Sequence, residues 1–114
     1  MLQILICTYD SMLIKGLENP LRDAGFSVTV TDHAASAVRK VMEKLFAAVV
    51  LDSQVVGLSV DEALPIIRHV SPDTKVFVIG EAGAGQDVYS IPRQSCLPEL
   101  IRIIDADLTV KETV

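Results

Sequence analysis

The sequence predicts an α/β domain built on a mostly parallel sheet, and three observations carry that prediction. The first is the stretch Ala47-Ala48-Val49-Val50-Leu51-Asp52, an unbroken apolar run stopped by a carboxylate. A short run of this kind suits a strand covered on both faces, as at the centre of a parallel sheet. The second is a matching run from Leu2 to Cys7, and the third is the alternation of strand-like and helix-like segments along the chain. That alternation is the pattern of a doubly wound sheet with helices on either side. Ligands and chemistry in such sheets collect beyond the carboxyl ends of the strands, which makes the Asp52 end the candidate site.

Taken in order, Leu2 to Cys7 reads as a covered strand, followed by a helix that Ser11 can cap. Met12, Leu13, Leu17, Leu21 and Ala24 recur near helical spacing, and Gly25 stands in the usual C-terminal position. Pro20 lies inside this pattern, removes an amide donor and costs up to about 3 kcal/mol, so a kink or break is expected there. Phe26 to Val30 alternates, as in a more exposed strand near a sheet edge. Thr31 or Asp32 can cap a second helix whose apolar positions are Ala34, Ala37, Val38, Val41, Met42 and Leu45. After the Asp52 strand a loop runs through Gly57. Asp61 and Glu62 then supply negative charge to the start of a helix reaching Val70, with Pro65 in or near its first turn. Ser71-Pro72-Asp73 reads as a turn, Lys75 to Ile79 as a strand and Val88 to Ile91 as a short strand. Pro98 can open a last helix with Leu100, Ile101, Ile103, Ile104 and Leu108 on its apolar side.

At 114 residues the chain is expected to form one domain, residues 1–108, with 109–114 a tail or the start of a linker. Only 4% of residues are aromatic against 50% hydrophobic, so aliphatic side chains must build the core. The formal charge of −5 argues against nucleic acid or an anionic membrane surface as partner, since both require a basic patch. No apolar run approaches the roughly 18 residues of a membrane span, and the first residues lack the basic region of a signal peptide. A cytoplasmic location is expected, with Cys7 and Cys96 as buried thiols rather than ligands or a redox pair. His33 and His69 have no companions at metal-ligand spacing. The glycines from Gly80 to Gly85 lack the following Lys-Ser/Thr or helix that a phosphate cradle needs.

Over nearly its whole length the chain resembles the receiver domain of bacterial two-component response regulators. Ile4 to Ser11, Leu21 to Phe26, Ala47 to Gly57, Lys75 to Gly80 and Tyr89 to Leu100 fall in register with that family. The resemblance implies a flavodoxin-like doubly wound sheet of five strands in order 2-1-3-4-5, with Asp52 at the phosphoacceptor position. Three further family features are missing. The acidic pair that holds magnesium after the first strand reads Thr8-Tyr9, with Asp10 one place beyond. The hydroxyl residue after the fourth strand reads Gly80, and the lysine before Pro92 reads Ile91. The stretch between the fourth and fifth strands is also short: from Gly80 to Asp87 it carries three glycines, each costing up to about 1 kcal/mol in a helix interior. A fourth helix is therefore expected to be missing or replaced by a loop.

Three function classes follow. The first is a degenerate, or pseudo-receiver, signalling domain that is not an enzyme and acts on a protein partner without phosphorylation. The second is a phosphorylatable receiver using Asp52 with a metal site shifted towards Asp10. The third is a domain that binds a small molecule at the sheet end. Thr8 and Tyr9 offer neutral oxygens where a hard divalent cation wants carboxylates, so no magnesium or other cofactor is expected. Loss of the fourth helix would uncover one face of the last strands. The partner-binding surface is expected at Val88, Leu97, Ile101 and Ile104, for a protein of the same signalling pathway or a second copy of the chain.

Overall fold

The computed structural model describes residues 2–54, 60–80, 89–91, 101, 102, 104 and 106. Its elements alternate as β1 (Gln3–Cys7), α1 (Ser11–Asp23), β2 (Ser27–Thr31), α2 (Ala34–Glu43), β3 (Ala48–Asp52), α3 (Val60–Val70), β4 (Lys75–Ile79) and β5 (Tyr89–Ile91). The strands pair in parallel in the order β2-β1-β3-β4-β5, the short β5 forming the far edge against β4. The fold is thus the expected flavodoxin-like arrangement, and β3 is central with every residue buried.

Strand alternation sorts the core into two layers. Ile4, Ile6, Ala48, Val50, Phe77 and Ile79 face α1 together with Ile104, which belongs to a helical stretch that also includes Ile101, Arg102 and Ala106. Leu5, Cys7, Val49, Leu51, Val76 and Val78 face α2 and α3 on the other side. Because successive strand side chains point to opposite faces, one run of aliphatic residues supplies both layers at once. That is why β1, β3 and β4 carry no polar alternation.

The helix expectations need several corrections. Helix α1 runs unbroken through Pro20. Leu13, Leu17 and Leu21 are buried on both sides of the proline, each contributing about 1.5–3 kcal/mol, which together exceed the cost of the missing bond. Asp10, not Ser11, is the N-cap of α1, its side chain accepting from the Met12 amide. His33, not Thr31 or Asp32, caps α2 by accepting from the Ala35 amide through Nδ1. Pro65 lies just past the first turn of α3, within the expected range. Met12, Ala24, Met42 and Leu45 are exposed rather than core, because three buried positions at four- and three-residue spacing already fill the sheet-facing stripe of α1 and α2. Gly25 does close α1. At φ +99° it adopts the left-handed conformation that lets the Phe26 amide reach the Leu21 carbonyl and its own amide reach that of Arg22. The Gly57 loop, the glycine-rich stretch with its expected missing helix, Val88 and the Pro98 helix start lie outside the described residues.

Candidate functional site

Strand register assembles the site. β1 pairs with β3 with Cys7 opposite Leu51, so the next residues along, Thr8 and Asp52, come opposite each other on the same side. Both are 1% exposed. The Thr8 hydroxyl donates to Asp52 Oδ2 at 2.6 Å, a short bond of the kind a carboxylate acceptor makes. The Gln54 amide donates to Asp52 Oδ1 at 2.9 Å. Thr8 Oγ1 in turn accepts from the Asp10 amide at 3.1 Å, while Asp10 Oδ1 accepts from Met12. A continuous chain of bonds therefore runs from the N-terminus of α1, through the β1–α1 connection, to the end of β3.

The same arithmetic on the other side explains Gly80. β3 pairs with β4 with Asp52 opposite Ile79, and the Ser53 amide bonds the Ile79 carbonyl at 2.9 Å. Gly80 comes next, at φ +101°, and a Cβ there would fall on the Ser53 hydroxyl, with the Ser53 Cβ only 3.1 Å away. A side chain at position 80 is thus opposed twice, by backbone conformation and by an occupied space.

The structure brings Thr8, Asp52 and Gly80 together at one end of the sheet. Ile91 pairs with Ile79 at the same end, one strand further out. Tyr9 turns away, 56% exposed, and Asp10 serves as a helix cap. Two expected partner-binding residues fall elsewhere. Ile104 is fully buried and Ile101 partly buried, both packed on the α1 side of the sheet, so Ile104 belongs to the core and is not available to a partner. Its helical period places it against the same layer that Ile4 and Phe77 fill. Val88 and Leu97 lie outside the described residues. Among the described residues, no group of three or more His, Cys, Asp or Glu side chains is placed to hold a metal ion. No helix among them is long and apolar enough to cross a membrane.

The sequence alone does not identify Thr8, Ser53 and Gln54 as the partners of Asp52 and Gly80. The signal that finds Thr8 and Ser53 is register, available once the strand order is known.

Cys7, one residue before Thr8, has its side chain in the opposite layer, fully buried. Burial foremost, then the charges of Asp52 and Asp32, push its thiol from 9.0 up to about 12. It is a poor nucleophile, since the thiolate is the reactive form.

Solved structures that share this architecture include three receiver domains. A CheY-like response regulator receiver domain from Methanospirillum hungatei JF-1 superposes with a TM-score of 0.84 at 20% identity, over 99% of this chain and 98% of its own. The chain has the receiver-domain fold. A response regulator receiver domain protein from Clostridium thermocellum gives 0.80 at 17% identity, covering 99% of this chain and 98% of that one. The receiver domain of a sensor histidine kinase from Pseudomonas aeruginosa PAO1, with magnesium coordinated in its active-site cleft, gives 0.74 at 20% identity, covering 92% and 95%. No protein-family model matches the chain, and no curated protein does. On the receiver-domain fold, Asp52 stands at the end of the central strand, the place the resemblance implied for a phosphoacceptor.

Proposed function

We propose that this chain is a receiver-fold signalling module that acts by docking to a protein partner and does not carry out phosphoryl transfer at Asp52. The single observation behind this reading is the Thr8 hydroxyl donating to Asp52 Oδ2. Phosphoryl transfer needs a free, metal-flanked carboxylate oxygen and depends mainly on positioning and charge neutralisation. Here both Asp52 oxygens already accept hydrogen bonds and the side chain is buried. A hydroxyl that donates its proton to the carboxylate stands where a metal site would want a second carboxylate.

A magnesium ion does not fit this donor set. Hard cations want several oxygen ligands with carboxylates among them. Thr8 offers a neutral oxygen already bonded twice, and an Asp10 oxygen caps α1. The Gly80 position has neither a hydroxyl nor room for one. The same facts weigh against the phosphorylatable alternative with a shifted metal site, because moving Asp10 would uncap the helix. On this reading the chain has no catalytic residue and no cofactor, and its activity is a surface.

The test is a titration of the full chain with magnesium, then with magnesium and beryllofluoride, followed through the amide signals of Asp52, Ser53 and Gln54. The expected result is no saturable change at millimolar magnesium, and an Asp52→Asn variant that folds at least as well. A saturable shift at those amides, lost in Asp52→Asn, would restore the phosphoacceptor reading.

A further inference from the structure

The two outer strands end the sheet differently. β5 is three residues long, and so short an edge is a poor template for further pairing. β2 runs Ser27-Val28-Thr29-Val30-Thr31, five residues with no charge and no proline. Four of the five are β-branched, the composition that favours extended pairing.

Parallel pairing with β1 fixes which peptide groups of β2 are used. Ser27 stands opposite Gln3, and its amide bonds the Leu2 carbonyl. Thr31 stands opposite Cys7, and its carbonyl accepts from the Thr8 amide. The peptide groups of Ser27, Thr29 and Thr31 therefore point into the sheet, and those of Val28 and Val30 point out of it. Among the described residues, the outward groups meet one partner: Arg22 Nη2 donates to the Val28 carbonyl at 3.4 Å. Arg22 stands in the last turn of α1, and Glu18, one turn back, lies 3.8 Å from the same nitrogen. The bond is long, so its strength is not what closes the edge. A strand approaching here must displace a guanidinium that is 56% exposed or enclose it, and enclosing a charge without partners is costly.

Without that side chain the edge suits a second copy of itself. Half a turn about Thr29 sets two β2 strands antiparallel, with Val28 of each copy opposite Val30 of the other. Both residues carry outward amides and carbonyls, so they exchange bonds in both directions. Such a pairing is two-fold and closed. We propose that Arg22, tethered by Glu18, keeps the chain from pairing with a second copy through the β2 edge. The proposal goes beyond the docking function above and does not depend on the state of Asp52.

The experiment uses the full chain. Hydrogen exchange tests the orientation of β2: the Thr29 and Thr31 amides are expected to be protected, and those of Val28 and Val30 to exchange fast. Sedimentation equilibrium up to roughly 1 mM suits an interface of the small, weak class. The parent chain is expected to stay monomeric across that range. Arg22→Ala is expected to dimerise roughly tenfold more tightly or better, with amide shifts centred on residues 27–31. Glu18→Ala, which only frees the guanidinium, should move association the same way by less. In the Arg22→Ala background, Thr29→Asp and Thr29→Lys each set like charges opposite one another and should restore the monomer. Mixing those two variants should bring the dimer back.

The proposal is overturned if Arg22→Ala remains monomeric, if the parent associates equally well, or if the shifts fall on another surface. It is also overturned if both Thr29 variants still dimerise alone, or if Val28 and Val30 are as protected as Thr29. A parent dimer that Arg22→Ala dissolves would overturn it in favour of an interface that Arg22 helps to hold.

Discussion

The two ends of the sheet are closed by the same chemistry with different consequences. At the carboxyl end, Thr8 donates to Asp52 at 2.6 Å. At the amino end, the Thr74 hydroxyl donates to the Phe46 carbonyl at 2.7 Å, tying the turn before β4 to the residues leading into β3. Each hydroxyl has one proton to give, so Ser71 must donate in its 2.6 Å bond to Thr74. Both networks are buried threonine clamps between distant parts of the chain. One ends on a neutral backbone oxygen and the other on a carboxylate. Burying a peptide oxygen without a partner costs a few kcal/mol, and burying a carboxylate costs more. The carboxyl-end clamp therefore bears the larger load, and it does so at the one place in the fold where a carboxylate could have had another use.

Breaking the stronger clamp should cost most. Thr8→Val keeps the shape, removes the donor to Asp52 Oδ2 and leaves the Asp10 amide without its acceptor. A loss of about 3 kcal/mol is expected in denaturant unfolding, as for a hydrogen bond to a buried charged group. Most of that loss should vanish when Thr8→Val is made in an Asp52→Asn background, which a double-mutant cycle measures directly. An additive cycle would mean that Thr8 matters through packing alone.

Next is the attempt to rebuild a hydroxyl beside Asp52. Gly80→Thr must place a β-branched residue at φ +101° and push aside Ser53, so it should lose about 3 kcal/mol in total. Adding Ser53→Gly relieves the overlap but not the backbone conformation, and should return about half of the loss. Full recovery in the double variant would show that the left-handed conformation is not binding.

The neutral clamp should yield less. Thr74→Val leaves the buried Phe46 carbonyl without that donor, and a loss of about 2 kcal/mol is expected. The difference between Thr8→Val and Thr74→Val is the quantity that separates the two ends. Equal losses would show that the carboxylate adds nothing to its clamp.

The sequence made the sheet legible and the clamps illegible for one physical reason. Val49, Val50 and Leu51 announce a covered strand through their own composition, and the alternation of segments implies a mostly parallel sheet, whose strand order comes from the family resemblance. Thr8 and Asp52 are 44 positions apart, and their meeting depends on the register of β1 against β3, which no local pattern encodes. Ser53 under Gly80 has the same dependence. Asp10 and Ser11 can each cap a helix, and backbone geometry at Asp10 (φ −80°, ψ 108°) decides between them. Met42 and Leu45 sit at apolar helical spacing, yet the stripe that α2 can bury is narrower than the stripe its sequence offers.

The smallest effect comes from Cys7, and it reads the charge of the carboxyl end from behind. The thiol is held protonated in the folded chain up to about pH 12, against 9.0 ordinarily, first by burial and then by Asp52 and Asp32. A folded value above the unfolded one means that between these limits the unfolded chain has lost the proton and the folded chain keeps it. Stability from this source is therefore complete below pH 9 and falls as pH rises from 9 towards 12, by about 1.4 kcal/mol per pH unit. At pH 10 the parent chain should have lost about 1.4 kcal/mol that a Cys7→Ala variant, less stable at pH 7, does not lose. Parallel stability curves for the two chains between pH 8 and 10 would show that the thiol does not control this region. The Asp52→Asn variant sharpens the point: with one of the charges removed, the folded thiol titrates earlier and the decline should level off at a lower pH than in the parent. If instead both chains level off together, the Asp52 charge does not reach Cys7, and the hydrogen bonds from Thr8 and Gln54 neutralise it within its own layer of the sheet.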